Sequence, residues 1–511
     1  MLENRAPESL SLDGVVRFWA ERRPGATALS YADNSEPGMD WRAFEQHIAH
    51  VAAMLEPEIE FGQPVGVVCA DSAAFHVLVN ALWRLGAGVV LIDRNWGPAI
   101  VSDLIRLVDC HRIYAPNTWQ ALGDAQAQIL PFPHFPHFDT ARCNFPKLKR
   151  PLPRHDTTAL YATTSGTTDN PKCVAVTHGR IRSAYRVCLD ARDLTQVSRA
   201  ACLFEINSLG ILGVCFLLPR EIGAETKVYR SFSLSTISDT WGRVFEDGID
   251  FVYLVPALVR LVRSVRLPTR PSRRVLAFCS AAPVTEGELR TLEARFEIEA
   301  YNIYGLTELS FAVFFGERSS NGGPSDSIGR AIGIEARLID AVGADVKGPG
   351  RGELLIRGPM LSDGYLHNAD ATRRCWDAGW LRSGDLAERD EAERYFIRGR
   401  LKDVVLRGGY TYYLGELEHY LRRAPGVIDV CAFRGRDLPS GDELCVVAQV
   451  DRSVASADLF AWIEANMGRT KLPNSLCIWK RALPRNSNGK IQRSVLVDLH
   501  LSGQLVSESL E

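Results

Sequence analysis

The chain has 511 residues, room for about three domains or large subdomains at roughly 150 residues each. Its 46% hydrophobic and 23% charged residues are those of an ordinary globular chain with a large core. Lys and Arg number 59 against 61 for Asp and Glu, so the basic excess that suits nucleic acid or an anionic membrane is excluded.

The N-terminus, MLENRAPESLSLDG, has no apolar h-region, so no secretory signal is expected. Leu12, Val15, Val16 and Trp19 recur at helical spacing and end at Arg22-Arg23-Pro24, which predicts a short amphipathic helix. Residues 65–92 read as a β-α-β unit. VGVVC (65–69) is a β-branched run, Ser72 an N-cap, and Phe75, Val79 and Leu82 a buried helical stripe; Gly86 then closes the helix before GVVLI (88–92). LPFPHFPHFD (130–139) is interrupted by proline and cannot be a helix or a central strand. His134 and His137 are read as part of an extended surface loop, because a metal pair would need a third ligand nearby. Strand and helix patterns alternate up to residue 330, which predicts a largely parallel, helix-covered sheet.

The longest apolar run, Leu209 to Pro219, is too short for a membrane span. Past GRLKD (399–403) and Gly408-Gly409 the texture changes. A helix near 415–422, strands at 427–433 and 444–450, and a helix near 457–466 form a small pattern of their own, so a boundary is expected beside Lys402. The 12 cysteines stand singly, with no CxxC pair and no His at zinc-like spacing, and are read as reduced, mostly buried thiols of a cytoplasmic protein.

The sharpest chemical feature is Tyr161-Ala-Thr-Thr-Ser-Gly-Thr-Thr-Asp-Asn-Pro-Lys172. Hydroxyl residues and a glycine, followed by a lysine, make a flexible cradle whose N–H groups, hydroxyls and ammonium suit a polyphosphate. A Ser/Thr-rich surface turn is the plainer reading of the same residues. Cys173, next to Lys172, reads either as a thiol of lowered pKa or as an inert filler.

The segment resembles the signature loop of the adenylate-forming superfamily, which groups acyl-CoA synthetases, nonribosomal peptide synthetase adenylation domains and luciferases. Asp169 and Cys173 stand where that family has glycine, which implies a stiffer loop with slower or more Mg²⁺-dependent turnover. The resemblance assigns Thr164, Ser165, Gly166, Thr167, Thr168 and Lys172 to the phosphates of ATP. Tyr301-Asn-Ile-Tyr-Gly-Leu-Thr-Glu308 is similar to the next motif. There Tyr304 would stack on adenine, Asn302 lie at its edge, Thr307 touch the α-phosphate and Glu308 ligate Mg²⁺, a cation that requires hard oxygen ligands.

Further motifs follow in family order across nearly the whole chain. Gly352-Glu-Leu-Leu-Ile-Arg-Gly358 with Gly364-Tyr365 is read as mainly structural. Asp385, in Trp380-Leu-Arg-Ser-Gly-Asp385, would accept from the ribose hydroxyls; Arg400 would lie near the ribose, and Lys402 would be the hinge. Pro484-Arg-Asn-Ser-Asn-Gly489-Lys490 is similar to the catalytic-lysine motif. For the acid, the resemblance points to Asn207, Glu205, Ala281, Ile303 and Leu306: Asn207 as a neutral polar contact, and Glu205 as a partner for a substrate ammonium or an exposed strand-end carboxylate. Ala281 belongs to Cys279-Ser-Ala-Ala-Pro283, a turn between the acid and adenine sites. Asp326-Ser327 resembles a carrier's phosphopantetheine site but lies inside the large domain and is discounted.

The implied fold is α/β: a large multi-subdomain N-terminal α/β domain over 1–401 and a small, mobile C-terminal α+β lid domain over 402–511. The implied activity is an ATP- and Mg²⁺-dependent, AMP-forming ligase that joins a small organic acid to CoA or to the phosphopantetheine of a stand-alone carrier protein. A free-standing amino-acid or aryl-acid adenylation enzyme is the main rival, and a non-catalytic adenylate-binding protein the remote one.

Overall fold

A computed structural model describes residues 5–119, 127–133, 148–164, 172–229, 237–256, 258–259, 274–280, 284–318, 326–407, 410–438, 441–451, 454–486 and 489–505. The first helix, Leu12–Arg22, starts where Ser11 accepts a hydrogen bond from the Gly14 N–H, and it buries Leu12, Val15, Val16 and Trp19 as one stripe. The β-α-β unit is strand Pro64–Val68, helix Ala73–Arg84 and strand Gly88–Ile92, the two strands parallel. Ser72 Oγ caps the helix by accepting from Phe75 N–H at 3.2 Å. Gly86 follows the helix with φ +77°, a left-handed conformation that costs glycine little.

Alternating strand and helix patterns produce two sheets here, where the sequence predicts one. Six strands in the order Gln128–Pro131, Arg112–Ala115, Pro64–Val68, Gly88–Ile92, Thr158–Thr164, Lys172–Thr177 are parallel except for the last, antiparallel pair. An eight-stranded sheet forms between the edges Phe311–Phe315 and Met39–Asp40, with parallel pairs throughout its middle. Helix Ala73–Arg84 is buried nearly all round, and its His76 ring centroid lies 4.2 Å from that of Phe216, in the segment Gly213–Leu217. The helix packs on the six-stranded sheet and touches the segment that covers the eight-stranded one, a pattern that periodicity cannot distinguish from a one-sheet arrangement. The apolar run Leu209–Pro219 is likewise an interior segment, a short helix followed by a π-turn at Gly213–Leu217. No helix of the described residues is long and apolar enough to cross a membrane.

The Pro-rich stretch opens on edge strand Gln128–Pro131, where a missing N–H is tolerated, and its two histidines lie outside the described residues. Residues 335–400 then form an antiparallel five-stranded sheet, whose strands include Gly350–Arg357, Trp380–Arg389 and Tyr395–Arg400.

The smaller C-terminal domain holds helix Leu414–Leu421, strands Val427–Leu438 and Gly441–Val450, helix Ser456–Met467, strand Ser475–Trp479 and helix Arg493–Leu501. Its five-stranded sheet is antiparallel apart from the pair joining Gly441–Val450 to Ser475–Trp479. Four separate apolar clusters of the described residues underlie the division, two in each domain. The large apolar cluster extends as far as Tyr395, with Ile397 packed on it, and the first core residue of the small domain is Val405. Every cysteine of the described residues is buried except Cys375, which is partly so.

Candidate active site

Strands Thr158–Thr164 and Lys172–Thr177 form a hairpin in which Thr164 and Lys172 face each other at the loop end. The hydroxyl-rich tip, with Ser165, Gly166, Thr167, Thr168 and Asp169, lies outside the described residues, as does Ala281. Strand Ile298–Leu306 ends in a short 3₁₀ turn, Thr307–Leu309, which presents Thr307 and Glu308 beside that hairpin. A cavity of about 860 Å³ opens between the two domains. It is lined by Thr164, Lys172, Asn302, Ile303, Tyr304, Leu306, Thr307 and Glu308 from the large domain, by Asp385, Arg400 and Lys402 further along, and by Lys490 of the small domain. That size suits a nucleotide-sized ligand.

Asp385 is buried, and its two oxygens are already engaged. Oδ2 accepts from Tyr304 Oη at 2.6 Å and Oδ1 pairs with Arg400 Nε at 3.0 Å. Burial raises the carboxyl above its usual range, and the Arg400 charge opposes that. Each oxygen keeps a second lone pair, so a diol can be accepted without releasing either partner. Asn302 is buried and donates its amide to the Asp326 and Ser327 carbonyls at 3.2 and 3.4 Å, which fixes its orientation at the cavity wall.

Tyr365, which the sequence places in a structural turn, lines the cavity. Its hydroxyl donates to Glu308 Oε1 at 2.5 Å, and its ring carries the Lys172 ammonium 4.9 Å from the centroid. The Leu366 N–H donates to the Cys173 carbonyl at 2.7 Å, tying this turn to the phosphate-loop hairpin. A tyrosine after a glycine carries no signal of that role in sequence. Glu308 keeps its second oxygen for a hard cation, so the donor set fits Mg²⁺.

Two substrate residues proposed from sequence are not brought to the cavity. Glu205 is 49% exposed in its side chain and pairs with Arg94, the arrangement of a strand-end carboxylate. Asn207 is buried, with an unpartnered Oδ1, and it too lies apart from the cavity lining. Cys173 is buried among Val68, Val90 and Ile92, and burial pushes its thiol up to about 12. A neutral thiol at physiological pH is not a nucleophile, so Cys173 is a filler of the glycine position. Alkylation of the folded protein at pH 8 should leave Cys173 unmodified by peptide mass spectrometry; ready labelling would contradict its burial. Glu205→Gln should change kcat/KM for any acid by less than about twofold, because a pair in solvent contributes little; a selective loss with amino acids would return Glu205 to the site.

Lys490 reaches the cavity on a compact turn. Asn486 Oδ1 accepts from Lys490 N–H at 3.0 Å, Asn486 N–H donates to the Lys490 carbonyl at 2.9 Å, and Arg485 Nη1 donates to the Gly489 carbonyl at 2.7 Å. A Cβ built on Gly489 would lie 3.4 Å from Val255 Cγ2 of the large domain, so the turn is seated against that domain. Burial, and then the Arg400 guanidinium, hold the Lys490 ammonium below its ordinary range, while Asp385 acts the other way. Its positive charge is present below its pKa and lost as pH rises through it. If that charge drives the first reaction step, the alkaline limb of pyrophosphate release should shift upward in Arg400→Gln and downward in Asp385→Asn. A limb unmoved by both variants would contradict the coupling.

The AMP-binding enzyme family model matches residues 16–366. The chain is 29% identical to a sulfoacetate–CoA ligase of Cupriavidus necator over 359 residues, 68% of each chain. It is also 29% identical over 484 residues to a feruloyl-CoA synthase of Amycolatopsis sp, covering 92% of this chain and 93% of that one. Its fold is similar to that of the anthranilate CoA ligase AuaEII solved with anthranoyl-AMP, with a TM-score of 0.84 at 18% identity over 98% of this chain and 99% of that one. The fold is also similar to that of a Bacillus subtilis O-succinylbenzoate CoA synthetase solved with ATP and magnesium, with a TM-score of 0.81 at 18% identity over 94% and 98% of the two chains. The class is thus a nucleotide-dependent acid-activating enzyme. This chain belongs to the AMP-binding enzyme family.

Proposed function

We infer that the protein is an ATP-dependent, AMP-forming acid–thiol ligase that joins a small organic acid to CoA. The reading rests above all on one observation: Lys490 of the small domain opens onto the same cavity as Lys172, Glu308 and Asp385 of the large one. CoA is the favoured thiol because the relatives matched along the chain are named as CoA ligases and synthases.

Tyr304 and Asn302 would hold adenine, Asp385 and Arg400 the ribose, and Thr164 and Lys172 the β- and γ-phosphates. Glu308 would hold Mg²⁺, which would neutralise phosphate charge as pyrophosphate departs. Thr307 and Lys490 would face the α-phosphate, with Lys490 also meeting the acid's carboxylate. In the first step a carboxylate oxygen bonds to the α-phosphorus and the bond to the β-phosphate bridge oxygen breaks. The side chains align the two anions and offset the growing charge, which is the contribution such a site makes. In the second step the thiol sulfur bonds to the acyl carbon, AMP leaves and the thiol proton is lost. For the thiol to reach that carbon, the small domain swings away about Lys402, and the domains are accordingly taken as 1–401 and 402–511. Ile303 and Leu306 give the acid a partly apolar wall.

Pyrophosphate release measured across a panel of aryl, fatty, amino and sulfonated acids tests the reading, followed by thioester formation with CoA and with carrier proteins. Acid-dependent pyrophosphate release and acyl-CoA formation are expected. Thioester on carrier protein alone would move the assignment to an adenylation enzyme, and binding of ATP without pyrophosphate release under any acid would overturn it.

A further inference from the structure

Away from the cavity, three side chains of the small domain converge on one point. His500 Nε2 lies 3.4 Å from Cys445 Sγ and 3.0 Å from Glu443 Oε2. All three ligand atoms fall within 4.8 Å of one another. Glu443 and Cys445 are two residues apart on strand Gly441–Val450 and share a face, while His500 comes from the end of helix Arg493–Leu501. The separation of 55 positions between Cys445 and His500 explains why no zinc-like spacing is visible in the sequence.

The neighbouring backbone packs directly against this point. A Cβ on Gly435, in the neighbouring strand, would lie 2.5 Å from Glu443 Oε2 and 2.6 Å from Cys445 Sγ, so any other residue there would displace the cluster. Arg436 N–H donates to the same Glu443 oxygen at 2.9 Å and orients the carboxylate. Cys445 and His500 are buried and Glu443 almost so. A relay of the Cys-His-carboxylate kind needs the thiol and the carboxylate on opposite ring nitrogens. Here both meet Nε2, which is how ligands arrange around a shared cation. Tetrahedral zinc with ordinary bond lengths has S···N and N···O edges of about 3.6 and 3.4 Å, a few tenths wider than those present.

We propose that Glu443, Cys445 and His500 form a zinc site in the small domain, with water as fourth ligand. Thiolate, imidazole and carboxylate together match the borderline-soft character of Zn²⁺. On binding, Cys445 Sγ gives its proton to solvent, and His500 loses the proton that Nε2 shares with Glu443 and keeps one on Nδ1; sulfur, Nε2 and the carboxylate each donate an electron pair to the metal, with no redox change. The site grips both flanks of the Lys490 turn: Cys445 pairs in register with Ser475 at the start of the strand before it, and His500 lies in the helix after it. Zinc there would brace the turn without touching substrate.

The test uses the full chain, loaded with Zn²⁺, desalted, and measured for metal content, in parallel with Co²⁺ substitution followed by absorption. One retained equivalent is expected, with a near-ultraviolet thiolate-to-cobalt band that Cys445→Ser abolishes. His500→Gln should weaken binding by about tenfold or more. Absence of stoichiometric metal overturns the proposal, as does a band unchanged in Cys445→Ser. If neither variant folds, zinc-edge absorption of the wild-type protein decides: a shell of one sulfur at about 2.3 Å with nitrogen and oxygen near 2.0 Å supports the site, and any other sulfur count overturns it.

Discussion

Replacing Lys490 by alanine is expected to slow pyrophosphate release about 10²–10³-fold while leaving thioester formation from supplied acyl-adenylate within about a factor of two. The magnitude is that of removing one aligned charge donor from a transition state in a water-poor site. Its selectivity comes from geometry. Lys490 arrives from the small domain, so its charge is in the cavity only while that domain is seated as it is here. The turn is held by backbone and Asn486 bonds that do not involve the Lys490 side chain, so Lys490→Ala should leave the turn folded. Lys490→Arg keeps the charge on a bulkier, planar head and should recover only part of the rate. Equal losses in both half-reactions would mean that Lys490 serves them alike, and the idea of a lysine delivered once per cycle would fail.

Much of the site was legible because its chemistry is local in sequence. The hydroxyl-rich loop, the strand leading to Glu308, the turn before Asp385 and the turn before Lys490 each carry their residue types within a dozen positions. The small domain was also readable, since its elements keep clear periodicity, and helix Leu414–Leu421 and strand Gly441–Val450 fall where the pattern puts them. What escaped depends on contacts distant in the chain. Thr27–Tyr31 finds its parallel partner at Glu225–Val228, so two sheets arise from one continuous alternation. Tyr365 reaches Glu308 across 57 residues, and Arg493 of the small domain pairs with Asp403 at 2.7 Å and with Glu418 at 2.9 Å across 90 and 75. Glu205 and Asn207 fall outside the cavity lining for a related reason: family order fixes a segment, but local packing decides which of its side chains faces the cavity.

The junction between the domains joins two close backbone approaches. A Cβ on Gly415 would lie 2.7 Å from Gly399 Cα, so strand Tyr395–Arg400 and the start of helix Leu414–Leu421 touch through glycines. Their contact, with the Arg351–Glu416 pair at 3.4 Å and the Arg423–Asp326 pair at 3.6 Å, makes the present seating specific but polar. A polar, partly solvated interface of this kind can be left and remade in each cycle, whereas an apolar one would hold the domains together.

Substituting proline for Lys402 is expected to leave ATP binding and the first half-reaction largely intact while slowing thiol transfer at least tenfold, about 1.4 kcal/mol of barrier. Two tethers flank Lys402. Leu401 N–H donates to the Gly384 carbonyl of the large domain at 2.9 Å, and Leu414 N–H to the Asp403 carbonyl at 3.0 Å. Between them Asp403 N–H closes a tight turn on the Arg400 carbonyl at 3.1 Å, a bond that rotation at Leu401 or Lys402 opens while both tethers persist. The φ of Lys402 is negative in the present seating, the sign that a proline ring imposes. Proline then fixes that torsion near −65° and pushes Leu401 toward extended conformations, so the swing that admits the thiol is obstructed. Paired single-turnover assays read the outcome, one following pyrophosphate and the other thioester. If both rates fall together, or neither falls, the rotation is absorbed elsewhere, and the break between the apolar cores of the two domains at Val405 marks a change of packing without a hinge.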